Sequence, residues 1–205
     1  MKFYKMKTIL ILMLSITLNC YGQSTAEEYY KRGNAKCDLQ DYKGAIAEYN
    51  KSIEIDSLYA QPYCNRGNAK SELQDYRGAI ADYNKAIKIN PWDSDAYYNR
   101  GIAKCDLQDY SGAIVDYTIV IKFNPQFTKA YYNRGIAKDE LQDYRGAIAD
   151  YNKAIEINSW DSKAYYNRGN TKYKLGDKNG GCLDYSKAGE LGRTEAYDRI
   201  KEFCQ

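Results

Sequence analysis

The sequence predicts an all-α solenoid, and three observations support this prediction. The six residues AYYNRG occur three times, beginning at residues 96, 130 and 164. Within each 34-residue unit, apolar and aromatic residues fall at helical spacing, which indicates two amphipathic helices. A glycine recurs every 34 residues, at Gly33, Gly67, Gly101, Gly135 and Gly169. A fixed period of this length is typical of stacked repeats in which neighbouring units complete one another's core.

The first 22 residues are predicted to be a secretory signal peptide. Three lysines precede a short apolar run over residues 9–18, and Cys20 and Gly22 supply small residues before the expected cleavage. The run is shorter than the roughly 20 residues of a membrane-spanning helix. We therefore expect export to a periplasm or out of the cell, with no membrane span after the signal is removed. A lipid anchor on Cys20 is the alternative, although Asn19 stands where a small residue would precede such an anchor.

Charge and composition exclude several classes of function. The chain has 30 basic and 27 acidic residues, and the signal peptide accounts for three lysines, so the mature chain balances at 27 of each. A neutral chain gives no electrostatic reason to expect nucleic acid or an anionic membrane as partner. Histidine is absent and the cysteines fit no zinc pattern, so neither a metal nor another cofactor is expected. Acidic residues recur in every unit, whereas a catalytic set is made once, so an enzyme is not predicted.

Five predicted repeats fill residues 26–195, and a final helix over 194–205 is expected to cap the stack. The repeats are assigned to 26–59, 60–93, 94–127, 128–161 and 162–195. Proline near two unit boundaries is consistent with helix ends. An aspartate stands where it can cap the second helix of each repeat, at Asp41, Asp75, Asp109, Asp143 and Asp177.

These units resemble tetratricopeptide repeats, whose pattern is aromatic-x2-Leu-Gly-x2-Tyr, then Ala-x3-aromatic, then Pro. The third repeat reads Tyr97-x2-Arg100-Gly101-x2-Lys104, Ala113-x3-Tyr117 and Pro125. The resemblance implies a right-handed superhelical solenoid of five helix-turn-helix units. It also implies a non-catalytic module that binds a peptide or a partner segment in a concave groove formed by the first helices.

Two departures from the family pattern recur in all five repeats: arginine replaces the leucine, and lysine replaces the tyrosine that follows the glycine by three residues. An acid follows each of these arginines 16 residues later, which places the two at similar height in an antiparallel helix pair. Buried charges need such partners. The alternative is that both side chains reach solvent and contribute little. The predicted structural ion pairs are Arg32–Glu48, Arg66–Asp82, Arg100–Asp116, Arg134–Asp150 and Arg168–Asp184.

The resemblance also implies which residues would form the ligand groove. Tyrosine supplies contact area and a hydroxyl, and an asparagine amide can pair with an extended backbone. The alternative is that these side chains pack between neighbouring helices. The groove residues implied by matching positions are Tyr30, Asn34, Asn65, Asn68, Tyr98, Asn99, Tyr132, Asn133, Tyr166, Asn167 and Asn170.

The C-terminal third of that groove is expected to accept an acidic group, because Lys129, Lys163 and Lys174 stand where earlier repeats carry mostly acids. Some family members hold a partner's terminal carboxylate with a lysine–asparagine–arginine set. This chain departs from that set, since tyrosine occupies the position of its first lysine.

Cys182 and Cys204 lie on opposite sides of a turn at Gly192, and this placement allows a disulfide between them. The sequence leaves two free thiols as the alternative.

The predicted function is protein–protein interaction in the groove. Two alternatives stay open: a structural spacer that uses its convex face or ends, and a glycan-binding surface on the tyrosines.

Overall fold

The computed structural model describes residues 25–204, and the predicted signal peptide lies outside them. All regular structure within this range is α-helical, and no strand occurs there. Helix α1 spans residues 25–38. The other ten helices are α2 (Tyr42–Ile55), α3 (Ala60–Glu72), α4 (Tyr76–Ile89), α5 (Ser94–Asp106), α6 (Tyr110–Phe123), α7 (Thr128–Glu140), α8 (Tyr144–Ile157), α9 (Ser162–Lys174), α10 (Lys178–Glu190) and α11 (Glu195–Phe203).

The helices are arranged as consecutive pairs. We call the first helix of each repeat the A helix and the second the B helix. Within each unit, a B helix packs against neighbouring A helices, as α8 does on α7 and α9 in the second unit and α4 does on α3 in the first. The chain forms two compact units, a first unit that ends at Ala96 and a second unit that begins at Tyr97. Because α11 packs on α10, it occupies the place of a next A helix.

The turn between the A and B helices has the same construction in each repeat. A glutamine with positive φ ends the A helix in the first four repeats, at φ values of 60–62°. Glycine replaces it in the fifth repeat, where Gly176 has a φ of 94°. The predicted N-cap role of the following aspartates is confirmed. In each case the carboxylate accepts a hydrogen bond from the backbone N–H three residues on, as Asp109 does from Gly112.

The recurring glycine gives each B helix a close approach to its A helix. A tyrosine from the B helix passes directly beneath this glycine, and a Cβ at Gly101 would lie 2.7 Å from Cε1 of Tyr117. No side chain fits there without movement of the ring. The five tyrosines of this kind are each only 1% exposed, and they are Tyr49, Tyr83, Tyr117, Tyr151 and Tyr185.

The last helix is fixed by packing and by a covalent bond. Tyr185, Ala188 and Ala196 form a buried cluster between α10 and α11, with Phe203 packed against it. Cys182 and Cys204 form a disulfide with their Cα atoms 5.8 Å apart. No helix in residues 25–204 is long and apolar enough to cross a membrane.

Candidate functional site

The arginine and acid predicted to pair do so in the second to fifth repeats. Asp116 is 0% exposed and accepts from Nε of Arg100 at 2.9 Å and from Nη2 at 2.6 Å. Such a two-pronged contact is the strong form of the carboxylate–guanidinium pair. The same arrangement joins Arg66–Asp82, Arg134–Asp150 and Arg168–Asp184.

Each of these carboxylates also receives a lysine, which the sequence analysis missed. Lys104 places Nζ 2.8 Å from Asp116, and the lysines of the second, fourth and fifth repeats do the same at 2.7–2.9 Å. The sequence pattern could have predicted this contact, because a lysine follows each arginine by four residues and so lies one helical turn later on the same face. The arginines also stack on a tyrosine, as Arg100 does 5.2 Å above the ring of Tyr97. These groups are occupied with one another and form structural contacts.

The predicted pair Arg32–Glu48 is wrong. Arg32 instead binds Glu28 at 2.7 Å, and Glu48 Oε1 lies 3.3 Å from Lys51, while Oε2 has no partner among residues 25–204. In the second, fourth and fifth repeats the arginine is also held by the preceding B helix, as Nη1 of Arg134 donates to Thr118 at 3.0 Å. No repeat precedes the first one in the described chain. Arg32 is therefore 54% exposed, against 15–17% for the other four arginines.

The predicted groove residues lie together on the A helices, but many of their polar groups bind one another. An asparagine amide donates to the tyrosine hydroxyl of the preceding repeat. The distances are 3.2 Å from Asn65 to Tyr30, 3.0 Å from Asn133 to Tyr98 and 2.9 Å from Asn167 to Tyr132. Asn99 holds the same position on α5. At the cap, Arg199 replaces the asparagine and donates to Tyr166 at 3.3 Å.

A second set of asparagines, each directly after the recurring glycine, forms hydrogen bonds with the buried tyrosines of the B helices. The hydroxyls of Tyr49, Tyr83 and Tyr185 donate to Asn34, Asn68 and Asn170 at 2.7, 2.8 and 2.9 Å. Burial raises the pKa of Tyr185 to about 12, so this hydroxyl keeps its proton at neutral pH. Packing between neighbouring helices, the alternative considered for these residues, therefore accounts for much of their hydrogen bonding.

Two of the three lysines expected at the acidic-group end lie in one cavity of the second unit. Lys129 and Lys163 line a cavity of about 530 Å³ together with Tyr98, Tyr132 and Trp160. Both lysines are exposed, and neither has an ion-pair partner among residues 25–204. We call this the lysine cavity.

The lysine cavity contains one acid, and its carboxylate is already bound. Asp161 caps α9 and accepts from the backbone N–H groups of Lys163 and Ala164. Burial and the Asp161 carboxylate raise the pKa of Tyr132, while the Arg193 guanidinium acts in the opposite direction. The Arg193 guanidinium lies 4.4 Å above the ring of Tyr166 and has no carboxylate partner in the described chain. Sequence reasoning missed Arg193 and Trp160, since both lie in turns outside the repeated helices.

Lys174 does not belong to the lysine cavity, which corrects the expectation for this residue. Its ammonium group is paired with Asp139 and lies 5.7 Å from the centre of the Tyr144 ring. It lines a different cavity of about 420 Å³, between α7, α9 and α11. Earlier repeats carry an acid at the position of Lys174, and the lysine found here forms an ion pair within the protein.

The first unit has a cavity of about 460 Å³ between α1 and α3, and the exposed side chains of Asp38 and Glu72 line it. Cys64 takes the place of a groove tyrosine in this unit, and burial raises the pKa of its thiol to about 12. Cys37, Cys64 and Cys105 are free thiols. No group of histidine, cysteine or acidic side chains within residues 25–204 is arranged to hold a metal ion.

The helix pairs and their stacking define a helical-repeat solenoid protein. A family model described as TPR repeat matches residues 33–74 and 140–176, and one described as tetratricopeptide repeat matches residues 60–93. The chain belongs to the tetratricopeptide-repeat family, whose members are generally non-catalytic protein-interaction modules. No curated protein sequence matches it.

Several solved structures share the fold. MamA is 25% identical with a TM-score of 0.76, over 80% of this chain and 96% of that chain. MamA from Desulfovibrio magneticus RS-1 is 21% identical with a TM-score of 0.79, over 83% and 96%. YrrB, a TPR protein with an unusual peptide-binding site, is 21% identical with a TM-score of 0.76, over 84% and 90%.

Proposed function

We propose that this protein binds a segment of a partner protein on the A helices of its second unit, and that the segment places an acidic group in the lysine cavity. One observation carries the proposal: Lys129 and Lys163 are cations without an ion-pair partner in the described chain. By contrast, the lysines one turn after the arginines are all paired with a carboxylate.

The dimensions and composition of the lysine cavity suit such a ligand. Its volume of about 530 Å³ is in the range of sites that accept a few side chains. Trp160 is 77% exposed at its edge and offers apolar contact area beside the ammonium groups. Both lysines are solvent-exposed, so each contact with a carboxylate contributes up to about 1 kcal/mol and weakens with added salt. The peptide-binding site of YrrB, which shares the fold, is consistent with this use of the scaffold.

The decisive comparison uses two double variants with the same change of charge. Lys129→Gln/Lys163→Gln removes the cations of the lysine cavity. Lys88→Gln/Lys122→Gln removes two exposed lysines from the last turns of B helices and is the matched control. The mature chain carrying a photo-crosslinker in place of Trp160 is used to capture the partner segment from the host.

A synthetic peptide of the captured segment is then titrated against each form. We expect the control to bind like the wild type and the cavity variant to bind about 10-fold more weakly, because two contacts of this size are lost. Amidation of the acidic group of the peptide should weaken its binding to the wild type by the same factor of about 10. Equal binding by both variants would refute the lysine cavity as the site. The variant Tyr98→Ala/Tyr132→Ala would not test ligand binding alone. Both hydroxyls accept hydrogen bonds from the next repeat, so their removal would also disturb the packing of the repeats.

We also propose that the protein is exported. The disulfide Cys182–Cys204 supports this, because such bonds persist mainly in oxidising compartments outside the cytosol. Mass spectrometry of the protein purified from cell fractions tests it. We expect a chain that begins near Gln23 in the periplasmic or extracellular fraction. An intact N-terminus in the cytosolic fraction would contradict the proposal.

A further inference from the structure

The hydroxyl of Tyr151 differs from those of the four equivalent tyrosines. Three of these donate to an asparagine, and the fourth, Tyr117, lies 3.7 Å from the sulfur of Cys105. Tyr151 is equally buried as a residue, at 1% exposure, but its hydroxyl makes no hydrogen bond within residues 25–204, and its oxygen is not among the fully enclosed polar atoms that lack one. Buried tyrosine hydroxyls usually have one.

The sequence explains this difference. Ile136 stands where Asn34, Asn68 and Asn170 accept the hydroxyl in other repeats, and Asp139 stands where Cys105 does. The Asp139 carboxylate is already used, since Thr171 donates to Oδ1 at 2.8 Å and Lys174 binds Oδ2. Both replacement residues therefore leave the phenol without an acceptor.

Tyr151 lines the cavity of about 420 Å³ between α7, α9 and α11, as do Ile136 and Asp139. We call it the Tyr151 cavity. The aromatic pair Tyr173–Phe203, with ring centroids 4.4 Å apart, supplies an apolar wall. The hydroxyl of a tyrosine that is 1% exposed thus belongs to the lining of a space large enough for a side chain of a ligand.

The charges around this cavity favour an uncharged ligand group. Burial and the neighbouring Asp139 carboxylate raise the pKa of Tyr151, so the phenol is a neutral donor at physiological pH. The carboxylate of Glu140 lies in the lining, is exposed and has no ion-pair partner in the described chain. Lys174 is neutralised by Asp139, and Arg199 is engaged with Tyr166 and Glu202. An added carboxylate would be repelled by Glu140, whereas an amide has both an acceptor for the phenol and donors for the acid.

We propose that the Tyr151 cavity binds a primary amide, such as a glutamine side chain of a partner segment, whose carbonyl oxygen accepts from the Tyr151 hydroxyl. The Glu140 carboxylate is placed to accept from the NH₂ group of the same amide. This site is separate from the lysine cavity, so either can be refuted while the other stands.

The test uses three small probes and ligand-observed NMR titration. The probes are the N-acetyl N′-methylamides of glutamine, glutamate and leucine, which share a backbone and differ in the side chain. We expect the glutamine probe to bind best. Tyr151→Phe should weaken its binding about 3–10-fold, the effect of losing one neutral hydrogen bond. Ile136→Asn should weaken it similarly, because the new amide restores the acceptor found in other repeats and occupies the phenol.

The variants also separate binding from stability. Tyr151→Phe removes no hydrogen bond within the described protein, so its melting temperature should equal or exceed that of the wild type. Tyr83→Phe is the matched control: it removes an equally buried hydroxyl that donates to Asn68, so it should lower the melting temperature and leave probe binding unchanged. The proposal is overturned if the glutamine probe does not bind, if the glutamate probe binds better, or if Tyr151→Phe binds it like the wild type.

Discussion

Replacing Asp116 by asparagine should destabilise the protein strongly. Asp116 is 0% exposed, and its two oxygens are bound by Arg100 and Lys104 at 2.6–2.9 Å. Asparagine keeps the size of the side chain but removes the negative charge that both cations share. Removing one partner of a buried pair typically costs about 3–5 kcal/mol. The two cations retain 15% and 18% exposure, so water can partly compensate and we expect about 3 kcal/mol.

Urea and thermal unfolding, followed by the circular dichroism of the helices, measure this effect. For a chain of this length about 3 kcal/mol corresponds to a decrease of about 6–12 °C in melting temperature. Glu48→Gln is the matched control, since Glu48 occupies the equivalent position without an arginine partner. It should cost less than about 1 kcal/mol, because its lysine contacts are longer and half exposed. Equal losses for the two variants, or unchanged stability of Asp116→Asn, would refute the structural role assigned to these ion pairs.

Three further predictions concern the core and the cap. The pKa of Tyr185 rises from 10.0 to about 12 on burial and that of Cys64 from 9.0 to about 12, so their protonated forms favour the folded state. Stability should therefore decline as the pH rises above about 9–10, with helix loss and tyrosinate absorbance appearing together; normal titration in a folded protein would contradict this. Gly101→Ala should cost about 1–3 kcal/mol in urea unfolding, because the new Cβ would lie 2.7 Å from the Tyr117 ring. Reduction of the disulfide, which links residues 22 apart, should remove about 3 kcal/mol and speed hydrogen exchange in α11 first; uniform acceleration would argue against a local cap.

The repeated features of the fold could be predicted because each occurs five times. The glycine period, the capping aspartates and the acid 16 residues after each arginine report on one contact in several copies. A helix pair of fixed length then places these positions together in every repeat. The first repeat fails this rule at Arg32, since the described chain has no preceding B helix to hold the guanidinium. Terminal repeats experience a different environment, and a periodic sequence does not reveal it.

The candidate sites were less predictable because hydrogen bonding between repeats depends on three-dimensional register. Tyrosine and asparagine suggested a groove open to ligand, whereas the amide of Asn133 is bound to Tyr98. Lys174 looked like a cation available to a partner, but its neighbour across the repeat boundary is Asp139. Residue type alone does not reveal whether a polar group is already satisfied.

The positions that interrupt the repeat pattern are therefore the most informative about function. A contact made in every repeat is explained by stacking, as the arginine–aspartate pairs show. At Lys129 and Lys163 the pattern changes from acid or amide to lysine, and these cations have no carboxylate partner in the described chain. At Ile136 an asparagine is lost, and the Tyr151 hydroxyl faces a cavity without an acceptor. Because both changes leave a polar group unsatisfied within the fold, they point to groups that a partner supplies.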